Sequence, residues 1–274
     1  LGCGTIFSVD PASGQSTVLY AFTGSNGDGI GPGGLAVSGD LLYGVTSRGG
    51  SGACACGTVF SFDATTKAER VLYSFAGGSD GQTPVGPPVV SSGILWGTTE
   101  LGGASGLGTI WQFDSATGAE NVAYSFGTNT NDGLEPLAGL LQLDNVLYGT
   151  TFTGGSNYEG AVFSFVPSTG VETTLASFGN STGVGNPGPL ESEAALVAFK
   201  DSLIGTSTYG GSSGLGTVFS VSLKTGAVTT LWNFTGGADG GVPAAPLLKD
   251  GNVLYGVTGR YGANGVGTVF EITP

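Results

Sequence analysis

Acid–base chemistry in this chain falls first to its carboxylates, because its 274 residues contain no His and only three Cys. Ser-His-Asp and Cys-His arrangements need an imidazole to take the nucleophile's proton, so they are excluded, as are His-containing zinc sites. Two Asp or Glu side chains can still act as acid and base on a glycosidic bond. The acids therefore have to be sorted by position. Asp10, Asp63 and Asp114 open the similar stretches "DPASGQ", "DATTKA" and "DSATGA", where an Asp side chain caps its own backbone. Asp28, Asp80, Asp132 and Asp239 each precede a Gly. Such an Asp-Gly pair fixes a turn, the Asp bonding to backbone and the Gly taking positive φ. The rival reading gathers these four on one face as a binding ring, with Ca²⁺ as the cation whose taste for several oxygen ligands would suit it. The turn is the favoured reading, and no cofactor is expected. A catalytic pair should break the recurring pattern. Glu100, Glu135, Glu159, Glu191 and Glu193 do so, and Glu191 with Glu193 are the strongest of them. The expectation is nonetheless a protein that is not an enzyme.

The totals narrow the partners. Seven basic residues stand against 20 acidic ones, giving a net charge of −13. The bases are scattered, so no patch offers itself to phosphates, and nucleic acid is excluded as a partner. No apolar run approaches a membrane span, so no membrane insertion is expected. Gly makes up 54 of the residues, yet Phe, Tyr, Val and Thr are too plentiful and too regularly placed for disorder.

The elements that position these residues repeat. "GTIF" at Gly4 returns as "GTVF" at Gly57, "GTIW" at Gly108, "GAVF" at Gly160, and "GTVF" at Gly216 and Gly267, at offsets of 53, 51, 52, 56 and 51. A period near fifty marks a propeller, solenoid or array. Each period holds four short segments rich in β-branched and aromatic residues and separated by Gly, Asn and Asp. In chain order they are strand A ("LAGLLQL", 137–143), strand B ("VLYGTT"), strand C (the motif itself) and strand D ("RVLYSF"). Four antiparallel strands per period describe a propeller blade. The predicted fold is all-β, a single five-bladed β-propeller over 1–274, with a six-bladed ring from a longer chain as the alternative. The last blade is expected to take A, B and C from 244–272 and D from Thr17–Phe22, leaving Thr5–Val9 as an edge strand beside that D. Gly recurs inside strand B (Gly44, Gly97, Gly149, Gly205, Gly256), which predicts a close approach by a large neighbour. With no Met, and a first motif that opens inside a period, the chain is expected to be processed or a portion of a longer product.

The combined motif "LYGTT-xxGG-xxxxGTVF", followed by "LYSF-xGGxDGxxP", resembles the GloVer tandem repeat of bacterial proteins. That resemblance covers nearly the whole chain and implies β-propellers in surface-attached or secreted proteins. It carries over no catalytic residues. The fourth period departs from it, at "FGNSTGVGNPGPLESEA" (178–194).

Aromatics recur within the strands at Tyr43, Trp96, Tyr148 and Tyr255, and at Tyr20, Tyr73, Tyr124 and Trp232. There they are expected to pack blade on blade. Tyr158, Tyr209 and Tyr261 sit in loops and are the candidate platforms for a saccharide. Three Cys cannot all pair in one chain. A Cys54–Cys56 bridge would be strained, so Cys3 with Cys54 or Cys56 is the expected pair, in an oxidising, extracellular setting. The sequons at Asn180 and Asn233 match glycosylation acceptors, with Asn233 expected to lie in a strand and stay unmodified. The leading functional expectation is an extracellular structural or adhesive module that contacts other protein chains, including copies of itself. A lectin is the alternative, and a carboxylate glycosidase a more distant one.

Overall fold

The computed structural model describes residues 2–25, 27–179 and 188–274. Those residues are all-β, with a single 3₁₀ turn at Gly78–Asp80. Two compact units divide the chain, 1–125 and 126–274.

The first unit opens with a hairpin of β1 (Thr5–Val9) and β2 (Ser16–Ala21). Two four-stranded antiparallel sheets follow. The first is β3 (Gly29–Ser38), β4 (Leu41–Gly49), β5 (Thr58–Asp63) and β6 (Glu69–Ser74). The second is β7 (Gln82–Ser91), β8 (Ile94–Leu101), β9 (Thr109–Asp114) and β10 (Glu120–Ser125). In the second unit β11 (Gly133–Leu134) pairs with β14 (Thr153–Gly154), beside the sheet β12 (Leu141–Leu143), β13 (Val146–Thr151), β15 (Ala161–Val166) and β16 (Val171–Ser177). The next period repeats this plan. β17 (Pro189–Leu190) pairs with β20 (Tyr209–Gly210), beside β18 (Val197–Phe199), β19 (Ser202–Ser207), β21 (Thr217–Ser222) and β22 (Val228–Asn233). A three-stranded sheet of β23 (Leu248–Asp250), β24 (Val253–Thr258) and β25 (Thr268–Ile272) ends the chain.

Each full sheet is a meander in the order A, B, C, D, as short local hairpins require. Such sheets are propeller blades, and the repeat count makes the fold a five-bladed β-propeller. Four blades are complete, and the strands of the fifth period are divided between β23-β24-β25 and the hairpin β1-β2. Thr5–Val9 lies beside the D strand, as expected. Within the first unit β2 pairs with β1, and within the second β25 pairs with β24. The six-residue turn Asp10–Gln15 joins β1 to β2, a loop short enough to close at little cost in chain entropy. Strand A is shorter than predicted in the second unit. Only Leu141–Leu143 of 137–143 is strand.

The interior follows from one register. Strand B lays its Gly opposite the aromatic of strand C: Gly44 on Phe60, Gly97 on Trp111, Gly149 on Phe163, Gly205 on Phe219 and Gly256 on Phe270. The ring covers the bare backbone; a Cβ added at Gly149 would stand 2.7 Å from Phe163 Cε1 and 3.2 Å from Leu140 Cδ2. The same ring then meets, edge to face, the Phe that ends the preceding strand D. The centroids lie 5.2 Å apart for Phe22–Phe60, 5.7 Å for Phe75–Trp111, 5.1 Å for Phe126–Phe163, 4.9 Å for Phe178–Phe219 and 5.0 Å for Phe234–Phe270. A Thr or Ser closes strand B and satisfies its buried hydroxyl locally. Thr46, Thr99 and Ser207 bond to Thr58, Thr109 and Thr217 at 2.7–2.8 Å, and each also donates to the carbonyl two residues on. This is the physical content of the "LYGTT" motif.

Candidate functional site

The recurring Asp residues serve the loop between strands D and A. Asp28 Oδ2 accepts from Thr23 N at 2.7 Å and Thr23 Oγ1 at 2.9 Å. Asp80 accepts from Ala76 N at 2.5 Å and from the Tyr73 hydroxyl at 2.9 Å. Asp132 accepts from Gly127 N at 2.8 Å, and Asp239 from Thr235 N at 3.0 Å and Thr235 Oγ1 at 2.6 Å. Burial works to raise the Asp239 carboxyl, but hydrogen bonds from Thr235 and Trp232 outweigh it and hold it below the usual range. Each Asp thus clamps the backbone just past its strand D. Asp10, Asp63 and Asp114 cap their turns as expected, accepting from Ala12, Thr65 and Ala116 N at 2.8–2.9 Å. No group of three or more Cys, Asp or Glu among the described residues is placed to hold a metal ion.

Sequence reasoning missed a second acid that joins the clamp. Glu69 and Glu120 open strand D and reach back to the preceding blade's Tyr and Asp. The Tyr20 hydroxyl lies 3.4 Å from both Asp28 Oδ2 and Glu69 Oε2. Burial pushes the Tyr20 phenol up to about 12, and the charges of Glu69 and Asp28 add to the effect. Glu120 is pushed up to about 8, first by burial and then by the charge of Asp80 and a hydrogen bond to it, while Tyr73 works the other way. The signal was a Glu four residues before the strand-D Tyr in "ERVLY" and "ENVAY".

A pH dependence follows. From the ordinary 4.5 to about 8, the folded chain keeps a proton on Glu120 that the unfolded chain releases. Stability from this group is complete below the lower value and is lost as pH rises through the upper one. Glu120 is half-exposed, so solvent screening reduces the effect to about 2 kcal/mol. Glu120→Gln keeps a donor toward Asp80 and removes the titration. Thermal unfolding of this variant should be flatter across that window than the wild type's. A wild-type profile already flat there, or an unchanged slope in the variant, would contradict the assignment.

Of the pattern-breaking acids, Glu159, Glu191 and Glu193 come together. Burial raises the Glu191 carboxyl, and the charges of Glu159 and Glu193 add to it. The backbone there is already committed: Glu191 N donates to Glu159 O, and Thr208 N to Glu191 O, both at 3.0 Å. Glu135 accepts from Thr153 Oγ1 at 3.2 Å.

The three candidate tyrosines are exposed, at 78% for Tyr158, 46% for Tyr209 and 40% for Tyr261, although Tyr209, expected in a loop, lies in β20, where it pairs with Leu190. They stand two, seven and six residues before their motif Gly, so they are three different positions and form no recurring platform. The strand aromatics pack between blades as expected at Tyr43, Tyr73 and Tyr148. Trp232 and Tyr255, at 49% and 36%, do not. Trp232, Asp239 and Glu271 line a pocket of about 120 Å³ over Phe270.

The disulfide is Cys54–Cys56, and Cys3 is free and half-buried. The expected Cys3 pairing is corrected. Ala55 between the partners has φ 51°, and this left-handed turn brings the two Cα atoms to 5.1 Å, within the usual disulfide range. Asn233 ends β22 as expected, its side chain accepting from Ser212 N at 3.1 Å. Asn180 lies outside the described residues.

Among solved structures, TolB from Acinetobacter baumannii matches with a TM-score of 0.57 at 16% identity, over 97% of this chain and 56% of that one. The Nidogen/Laminin Complex matches at 0.57 and 12%, over 94% and 83%. The extracellular domain of the putative one component system BT4673 from B. thetaiotaomicron matches at 0.60 and 10%, over 97% and 30%. The chain thus spans about half the length of the TolB chain, and these likenesses are of fold. No curated protein matches the sequence. The model of the Gloeobacter/Verrucomicrobia repeat matches residues 1–193, with the strand-B Gly and the strand-C aromatic in the structural places described above: the chain belongs to the Gloeobacter/Verrucomicrobia repeat family.

Proposed function

We propose that the chain is a non-enzymatic structural or adhesive propeller that works outside the cell by contact with other proteins. One observation carries the reading. The polar side chains that recur from blade to blade, Asp28, Asp80, Asp132 and Asp239, are spent on clamping loops, whereas the exposed loop residues differ from period to period. A rigid frame with variable loops suits protein contact. A fold neighbour that is itself a protein complex, of nidogen with laminin, supports the reading, and the Cys54–Cys56 bridge supports an oxidising setting. Exposed Tyr158 favours the lectin as second reading, since a ring open to solvent offers a stacking face. A glycan array decides between them. No saccharide bound above background is expected; strong saccharide binding lost in Tyr158→Ala would overturn the contact module in favour of the lectin.

A further inference from the structure

The disulfide lies across a turn that the chain builds elsewhere without one. In all five periods the loop between strands B and C ends in the same way. The residue two before the motif Gly takes a left-handed φ: 51° at Ala55, 77° at Gly106, 63° at Tyr158, 70° at Gly214 and 73° at Gly265. Its N–H donates to the carbonyl three residues back, at 3.0–3.4 Å in every copy. The motif Gly then donates to the head of the loop, Gly57 N to Gly49 O and Gly108 N to Gly102 O, both at 3.0 Å. Only the first of these turns has a Cys on each side of its left-handed residue. In the other four, Ser or Asn stands in the place of Cys54, and Leu, Glu or Val in the place of Cys56. Backbone bonds therefore form the turn, and the bridge is added to it. A bridge that closes so few residues is also the kind that restrains the unfolded chain least.

The two sulfurs differ in access. Cys56 is 3% exposed and packs with Val45, Val59, Phe75 and Leu95. Cys54 is exposed, with its Sγ 3.5 Å from Phe75 O. These surroundings are set inside the first unit. The sheet β3-β4-β5-β6 is flanked there by the hairpin, through Ile6 and Phe22, and by the next sheet, through Leu95 and Trp111. An external thiolate meets Cys54 first, since a buried Cys is inert to attack.

We infer that Cys54–Cys56 is a thiol–disulfide exchange site, attacked at Cys54, whose substrate is a pair of neighbouring cysteine thiols on another chain. A substrate thiolate forms a bond to Cys54 Sγ. The Cys54–Cys56 bond breaks, and its electron pair leaves on Cys56 Sγ, which takes up a proton. Because the backbone keeps the turn, Cys56 stays beside the mixed disulfide and is placed to displace the substrate again. A lone thiol is expelled in this way. A second thiol on the same substrate instead attacks the substrate sulfur of the mixed disulfide, releases Cys54 as a thiol and leaves as a disulfide. Two electrons and two protons pass from the dithiol, which is oxidised, to the bridge, which is reduced. Exchange at this bridge adds a reaction to the protein-contact reading and does not depend on it.

The test runs on the folded Cys3→Ser chain, so that every thiol counted comes from the bridge. The probes are reduced glutathione and a peptide with two neighbouring cysteines, at equal thiol concentration, with protein thiols trapped by alkylation and located by mass. The peptide should open the bridge about tenfold faster than glutathione and yield one peptide disulfide per chain. Oxidised glutathione should close it again. The opened chain should keep its unfolding temperature, because the turn is made without the bridge. Given the same oxidised glutathione, Cys56→Ser should form a mixed disulfide about tenfold faster than Cys54→Ser. A bridge that neither thiol opens until the chain unfolds overturns the proposal. So does a large fall in unfolding temperature on opening, which would make the bridge a structural staple. Equal rates in the two serine variants overturn Cys54 as the attacked sulfur, and glutathione matching the peptide overturns the dithiol as substrate.

Discussion

Gly149→Val should destabilise the second unit by about 3 kcal/mol, the upper part of the range for overpacking a filled core. The argument is steric. Gly149 lies opposite Phe163, whose ring crosses the missing side chain. That ring is fully buried, with Phe126 edge-on at 5.1 Å and Leu140 on the other side. It therefore cannot swing aside without disturbing both neighbours. Intrinsic preference works in the opposite direction: Val suits a strand better than Gly by up to about 1 kcal/mol. At an open position the substitution would raise stability, so the sign of the change alone decides. In a unit of this size the loss lowers the unfolding temperature by roughly 6–12 °C. Combining Gly149→Val with Phe163→Leu should cost less than the two changes summed, because the smaller side chain makes the room that Val needs. A full sum, or a Val variant as stable as the wild type, would mean that the ring does not cover the glycine.

How much of this could be read beforehand depended on whether a feature recurs within one period. The strand-B Gly and the motif aromatic recur in every copy, so the close approach between them was legible, and the blade plan with it. The clamp was half legible. Asp-Gly announces itself as a turn, but its Glu partner stands in the following period, at Glu69 for Asp28 and Glu120 for Asp80. Glu172 holds the same slot six residues before Phe178, but Ser16 and Val228 hold it before Phe22 and Phe234, which blurs the pattern. The disulfide turned on a single backbone angle at Ala55, and no residue type announces a left-handed Ala.

Phe178→Ala should cost roughly 3–5 kcal/mol, the range for removing a fully buried aromatic. Phe178 is 1% exposed and ends the strand D that faces the next blade. Its ring meets Phe219 at 4.9 Å and 67°, and its cluster joins Val162 and Ala176 of its own blade to Leu196, Leu203 and Val221 of the next. One side chain thus bridges two sheets that share no strand ladder, beside the backbone bond from Glu191 N to Glu159 O that links the same two blades. The loss should therefore appear in both blades. Amide hydrogen exchange should accelerate in β15 and β16 and also in β19 and β21, since local opening frees the two faces together. Part of the effect belongs to ring geometry as opposed to area. In a cycle of Phe178→Leu, Phe219→Leu and the double variant, the coupling should be about 0.5–1.5 kcal/mol, the value of an edge-to-face pair beyond its burial. Faster exchange confined to β15 and β16 would show that Phe178 serves only its own sheet. Zero coupling would show that the aromatic contact, repeated five times in this chain, contributes area without orientation.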